Sequence, residues 1–186
     1  MKKVVIIWSS PNTDGLTASA KNMFVSGLAD RGIQAEEIHL NAMNIEHCRA
    51  CGDGWGTCRD DGTCIIQDDY AAIYQKLEDA DGIVFISAVY WQETTECFKA
   101  FFDRLRRNHA IHNRTLADKN ALLIACAGGS GRGAVECLMM MERGMNHLGM
   151  KTYDRIPVVR FNKDYMLPAL KGAGAAFADC VENGFQ

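Results

Sequence analysis

Proline is scarce in this 186-residue chain, three residues in all, and no segment is dominated by one residue type or one sign of charge. Disordered, collagen-like and low-complexity architectures are thereby excluded. No internal repeat marks a solenoid, and no apolar run approaches the roughly 20 residues that cross a bilayer. The formal net charge of −3 leaves no basic footprint for nucleic acid or an anionic membrane, so the expected partner is a small molecule. With 48% hydrophobic and 23% charged residues, the chain 1–186 is expected to fold as one domain.

Cysteine is not scarce. There are 8, four of them between Cys48 and Cys64. A disulfide framework would require a secreted chain, and the amino terminus, Lys2-Lys3-Val4-Val5-Ile6-Ile7-Trp8, reads as a first strand, without the long apolar core and small-residue cleavage site of a signal peptide. A cytoplasmic location is expected, where clustered cysteines bind metal or do redox chemistry.

A continuous apolar run at 3–8 reads as a first strand, and segments at 35–40, 82–87, 121–127 and 152–159 fit further strands that alternate with helical periodicity. Leu16, Ala20, Met23, Phe24 and Leu28 mark a first helix; Tyr70, Ile73, Tyr74 and Leu77 a second; Phe98, Phe101, Phe102 and Leu105 a third. Val135, Leu138, Met139, Met145 and Leu148 mark a fourth, and Ala169 to Cys180 a last. Continuous apolar strands separated by helices indicate an α/β fold, a parallel sheet of five strands covered on both faces. Ligands of such folds bind beyond the carboxyl ends of the strands, where the segments after strands one, three and four converge.

The first segment, Ser9-Ser10-Pro11-Asn12-Thr13-Asp14-Gly15-Leu16-Thr17, is small, hydroxyl-rich and ends at a helix start. Free amides and the positive end of the helix dipole suit a phosphate there, with Ser10 and Thr17 adding hydroxyls; the plainer alternative is a strand-to-helix turn capped by Ser and Asp. The segment carries no G-x-G-x-x-G and no Gly-Lys-Ser/Thr, which disfavours Rossmann dinucleotide and P-loop triphosphate binding and leaves a phosphomonoester. After strand three, Ala88-Val89-Tyr90-Trp91 sets two aromatics where a planar ring can lie, or where they pack in a core or interface. Gly128-Gly129-Ser130-Gly131, after strand four, offers amides to a ring bearing carbonyl groups.

On these motifs the chain resembles the flavodoxin-like NAD(P)H-dependent FMN reductases, within them the iron-sulfur flavoproteins, to about residue 160. Ser10-Pro11, Gly15 and Thr17 match the family's phosphate loop, with Asn12 where a basic residue is common. Ala88-Val89-Tyr90-Trp91 matches its Pro-x-Tyr-x element, with Ala88 in place of Pro, and Lys99, Asp103 and Arg104 match the Lys-x-x-x-Asp-Arg that follows. The resemblance implies a three-layer sandwich with strand order 2-1-3-4-5. It also implies FMN held by Ser10, Asn12, Gly15, Leu16, Thr17, Ala88, Val89, Tyr90, Trp91, Gly128, Gly129, Ser130 and Gly131, NAD(P)H as donor, and a homodimer or homotetramer that completes the FMN pocket.

Residues 41–67 form a connection long enough to be functional. Cys48, Cys51, Cys58 and Cys64 could gather around zinc or an iron-sulfur centre, or remain free redox-active thiols. The resemblance implies a [4Fe-4S] cluster, although Gly52 to Thr57 widens the second gap. Cys97, Cys126, Cys137 and Cys180 read as small core residues. Arg104, Arg106, Arg107, His109 and His112 read as a solvated helix end, Met139 to Met141 as core or a subunit contact, and Asp68 and Asp69 as helix caps. His39 and His47 lack an evident ligand partner.

The expected activity is hydride transfer from NAD(P)H to FMN and delivery of electrons to a small molecule or a redox partner protein. Alternatives are a flavodoxin-type carrier and a thiol or metal redox-responsive protein without turnover. A receiver-like signalling domain would need acidic residues where Trp8-Ser9-Ser10 and Ser87-Ala88-Val89 stand.

Overall fold

A computed structural model describes residues 2–111 and 114–184. Strands β1 (Val4–Ser9), β2 (Ala35–His39), β3 (Gly82–Ala88), β4 (Asn120–Ala127) and β5 (Lys151–Val159) form one parallel sheet in the order β2-β1-β3-β4-β5. The helices among the described residues are α1 (Leu16–Ala29), α2 (Cys51–Gly54), α3 (Thr57–Asp60), α4 (Tyr70–Glu78), α5 (Glu96–Ile111), α6 (Ala134–Leu148) and α7 (Lys163–Asn183). This is the flavodoxin-like arrangement that the sequence implies.

Every residue of β1 is buried, as a central strand covered on both faces requires. Its side chains divide by the period of two. Val5 and Ile7 join Phe85, Leu123, Phe98, Phe101 and Met145 in one core. Val4 and Ile6 join Val84, Ile124, Phe24, Leu28 and Phe177 in the other. The second core is tightened where α1 meets α7: a β-carbon at Gly27 would overlap the Lys171 carbonyl, and one at Gly174 would overlap that of Phe24. The two backbones touch without intervening side chains.

Three elements differ from the periodicity. The last helix starts at Lys163 instead of Ala169, so Pro168 lies inside it and removes only one hydrogen bond. On α6 the inward face is Ala134, Cys137, Leu138, Met141, Met145 and Leu148, leaving Val135 and Met139 more than half exposed. The hydrophobic pattern admitted both stripes because the helix is apolar over more than one face. Residues 41–67 are not featureless either, since they contain a 3-10 turn (Leu40–Ala42) at their start and the short turns α2 and α3.

Candidate functional site

The crossovers leaving β1 and β3 diverge, and a cleft opens between them at the carboxyl edge of the sheet. It is lined by Ser10, Asn12, Gly15, Leu16, Thr17, Ala88, Val89, Tyr90, Gly128 and Gly129, together with Pro11 and Cys126. Three loops far apart in sequence thus meet at one place. Ser130 is exposed and lies outside the lining, as does Gly131, where a β-carbon would come 2.8 Å from the Phe161 ring.

At the end of α1, Gly15 occupies the N-cap position, and no side chain caps the first turn. The plainer alternative of a turn capped by Ser or Asp is not what forms here, so the amide donors of that turn remain free to meet an anion. Gly15 itself has φ −85° and only Asn12 Cβ at 3.4 Å from an added β-carbon, so its backbone does not demand glycine. His39 braces the loop, donating from Nε2 to the Ser10 carbonyl at 2.8 Å while its ring stacks on Trp8 with centroids 3.7 Å apart. Cys126 is buried, and burial pushes its thiol up to about 12 despite a hydrogen bond with Thr17. It is therefore an apolar wall of the cleft at neutral pH.

The loop after β3 closes as a tight turn, with Tyr90 N donating to Glu93 O and Glu93 N to Tyr90 O, both at 2.9 Å. Its two central residues, Trp91 and Gln92, have φ of 49° and 69°, a conformation suited to Asn-Gly and strained for a bulky side chain. Trp91 is 97% exposed and stands outside the cleft lining, whereas Tyr90 is part of it. Gly133 packs against this turn: its φ is +85°, and a β-carbon would lie 2.8 Å from Gln92 Cα.

Beneath the cleft lies a feature not apparent from the motifs. Thr95 Oγ1 donates to Ser9 Oγ at 2.9 Å, Ser9 Oγ donates to Ser87 Oγ at 3.1 Å, and Ser87 Oγ donates to the Ala88 carbonyl at 2.8 Å. All three side chains belong to buried residues. The chain of hydroxyls ties β1, β3 and the start of α5 together directly under the loop that bears Tyr90.

A second pocket gathers Cys48, Cys51, Cys58 and Cys64 with Arg104, Arg107 and Asn108 from α5. The Gly52–Thr57 insert doubles back through α2 and α3 and returns Cys58 to the wall that Cys51 already occupies. Gly56 permits this, because a β-carbon there would sit 3.0 Å from Cys51 Cβ. Trp55 is braced by Arg59 and Arg107, at 5.4 and 4.8 Å from its ring centroid. Among the described residues no three cysteine, histidine or carboxylate side chains stand close enough to hold a single metal ion. Four cysteines and two arginines lining one pocket are, by the chemistry of the donor set, the kind of residues that a thiolate-ligated four-iron cluster would require.

Arg104 corrects the expectation of a solvated helix end. It is 1% exposed, with Asp68 accepting from Nη1 at 2.5 Å and from Nη2 at 2.9 Å. Burial opposes the charge on Asp68, but Arg104 and the Glu46 and Tyr70 amides outweigh it and hold the carboxyl below its ordinary value. Asp68 is thus half of a buried ion pair besides accepting from the Tyr70 amide, while Asp69 makes no side-chain cap. His109 is also buried, donating from Nε2 to Leu148 O at 2.9 Å; His112 lies outside the described residues. Of the other cysteines, Cys137 and Cys180 are buried and Cys97 is half-buried.

The model of the NADPH-dependent FMN reductase family matches residues 2–163. An iron-sulfur flavoprotein of Methanosarcina thermophila is 35% identical over 111 residues, covering 58% of this chain and 53% of its own length. Another, of Archaeoglobus fulgidus, is 28% identical over 130 residues, covering 70% and 56%. The chain spans about half the length of the curated relatives it matches. Among solved structures, a flavone reductase superposes with a TM-score of 0.72 over 97% of this chain and 63% of its own, at 20% identity, a likeness of fold.

Proposed function

The chain belongs to the NADPH-dependent FMN reductase family, with curated relatives in its iron-sulfur flavoprotein branch, and from that premise we propose that it is an FMN-dependent oxidoreductase. In this proposal the cleft would hold FMN, which would supply hydride acceptance from NAD(P)H and electron delivery to a small-molecule acceptor or a redox partner protein, and Cys48, Cys51, Cys58 and Cys64 would hold a [4Fe-4S] cluster, which would supply one-electron transfer. The observation that carries the proposal is the convergence of the three loops on one cleft.

In that cleft the uncapped first turn of α1, with the Ser10 and Thr17 hydroxyls, receives the phosphate. Tyr90, Ala88 and Val89 form one side of the ring site, and the Gly128 and Gly129 amides, with open space above both, face it from the other loop. No protein acid or base is needed for hydride transfer, so the residues bind, orient and exclude water. The Ser9–Ser87–Thr95 hydroxyl chain holds the loop below them in place.

Assembly as a homodimer or homotetramer is part of the proposal, with Trp91 and Phe161, 97% and 73% exposed, as apolar side chains it would cover. A cytoplasmic location is part of the proposal. No helix among the described residues is long and apolar enough to cross a membrane.

The test is anaerobic purification followed by visible spectroscopy, iron and sulfide analysis, and mixing with NADPH or NADH. Bound flavin that bleaches with reduced nicotinamide is the expected result. Colourless protein unable to take up FMN overturns the proposal, and bound flavin that neither nucleotide bleaches points to a carrier. Flavin without iron after reconstitution removes the cluster.

A further inference from the structure

Among the described residues Arg104 is the one arginine in the set of largest fully buried side chains, and its surroundings go beyond an ion pair. Nη1 donates to Asp68 Oδ2 and to the Glu46 carbonyl at 3.1 Å, and Nη2 donates to Asp68 Oδ1 and to Cys64 Sγ at 3.4 Å. Its guanidinium carbon lies 4.3 Å from the Tyr70 ring centroid, and Nε is buried without a partner. Asp68 balances the charge. A neutralised pair of this kind could sit anywhere in the core, yet this one places a donor on the sulfur of one cysteine in the four-thiol pocket.

A hydrogen bond from a cationic donor to a ligand sulfur stabilises negative charge on that sulfur, and the form of an iron-sulfur centre carrying one more electron gains most from it. We propose that Arg104 is a positioning residue that holds Cys64 as a ligand and raises the reduction potential of the centre in this pocket. The inference rests on the four-cysteine cluster of the proposed function. It concerns the one-electron couple of the cluster, [4Fe-4S]2+ to [4Fe-4S]1+, with dithionite as the chemical reductant; no proton or bond is exchanged at Arg104.

Because the pair is neutral overall, the double variant Arg104→Met/Asp68→Asn removes the sulfur hydrogen bond with little change in net charge. FMN-loaded protein is reconstituted anaerobically with iron and sulfide, and the reduced fraction of the cluster is followed by electron paramagnetic resonance against potential. The double variant is expected to favour the oxidised cluster about tenfold, equivalent to about 59 mV for a one-electron couple, with the flavin transition unmoved. Arg104→Lys keeps a cationic donor and is expected to recover part of that shift. A parent protein that takes up no iron and sulfide defeats the cluster assignment itself. A loaded double variant with the parent's potential overturns the role of Arg104 and leaves the cluster standing. If both variants fail to load while the parent loads, Arg104 is a structural support only and the proposal falls.

Discussion

Replacing Gly133 by alanine should separate the two loops that form the ring side of the cleft. Gly133 has φ +85°, and a β-carbon there meets Gln92 Cα at 2.8 Å and Gln92 Cγ at 2.9 Å. The left-handed conformation costs a non-glycine residue about 1–2 kcal/mol. Overpacking against backbone adds about 1–3 kcal/mol, because Gln92 is itself held in a strained turn and cannot simply rotate away. If about 2 kcal/mol of this total is relieved only when the loops part, FMN binds roughly 30-fold more weakly. Fluorescence titration of FMN with flavin-free protein reads this directly, and a thermal melt records the remainder. The control is Gly172→Ala on the exposed side of α7, where an added β-carbon meets nothing within 4 Å and a gain of about 0.5–1 kcal/mol is expected. FMN affinity of Gly133→Ala within twofold of the parent, with an unchanged melting temperature, would refute the loop contact as a determinant of the site.

The double change Trp91→Asn/Gln92→Gly installs the residues the turn geometry favours and should stabilise the fold by about 1–2 kcal/mol, or a few degrees in Tm; a lower Tm would show that the turn is not strained. Thr95→Val removes the donor to Ser9 and the acceptor for the Phe98 amide, and should cost about 1–3 kcal/mol in urea unfolding. His109 has its pKa lowered by burial, with Arg114 adding to the effect and the Leu148 carbonyl and Glu78 opposing it; Nδ1 has no partner. Its neutral form is therefore native, so its contribution is intact above the unfolded-state pKa of about 6.5 and is lost as pH falls toward the lower folded value. Urea midpoints measured downward from pH 7.5 should decline less steeply in His109→Gln, and an unchanged slope would exclude this histidine.

The strands and the cleft were legible because both follow from local pattern. Runs such as Val4 to Trp8 cannot be half-exposed, and the order of polar loops after β1, β3 and β4 fixes what meets at the sheet edge. Polar burial was not legible. Arg104 and His109 sit in a segment dense with charge, and only the long-range partners Asp68 and Leu148 take them out of solvent. The same holds for Thr95, whose partner Ser9 lies 86 residues away. The thiol spacing identified the pocket's residues, but the fold of the insert, with Gly56 against Cys51 and Trp55 between two arginines, depends on α5 packing across it.

The contact of Gly27 with Lys171 and of Gly174 with Phe24 bears on where the molecule can be cut or recombined. The family match ends at Lys163, the residue at which α7 begins, yet α7 lies against the backbone of the helix whose first turn faces the proposed phosphate site. Where the backbones touch at these two glycines no side chain can give way, so a substitute tail would have to leave the same clearance there. A chimera that exchanges α1 must carry α7 with it, so the unit that supports the proposed cofactor site is longer than the stretch the family model outlines.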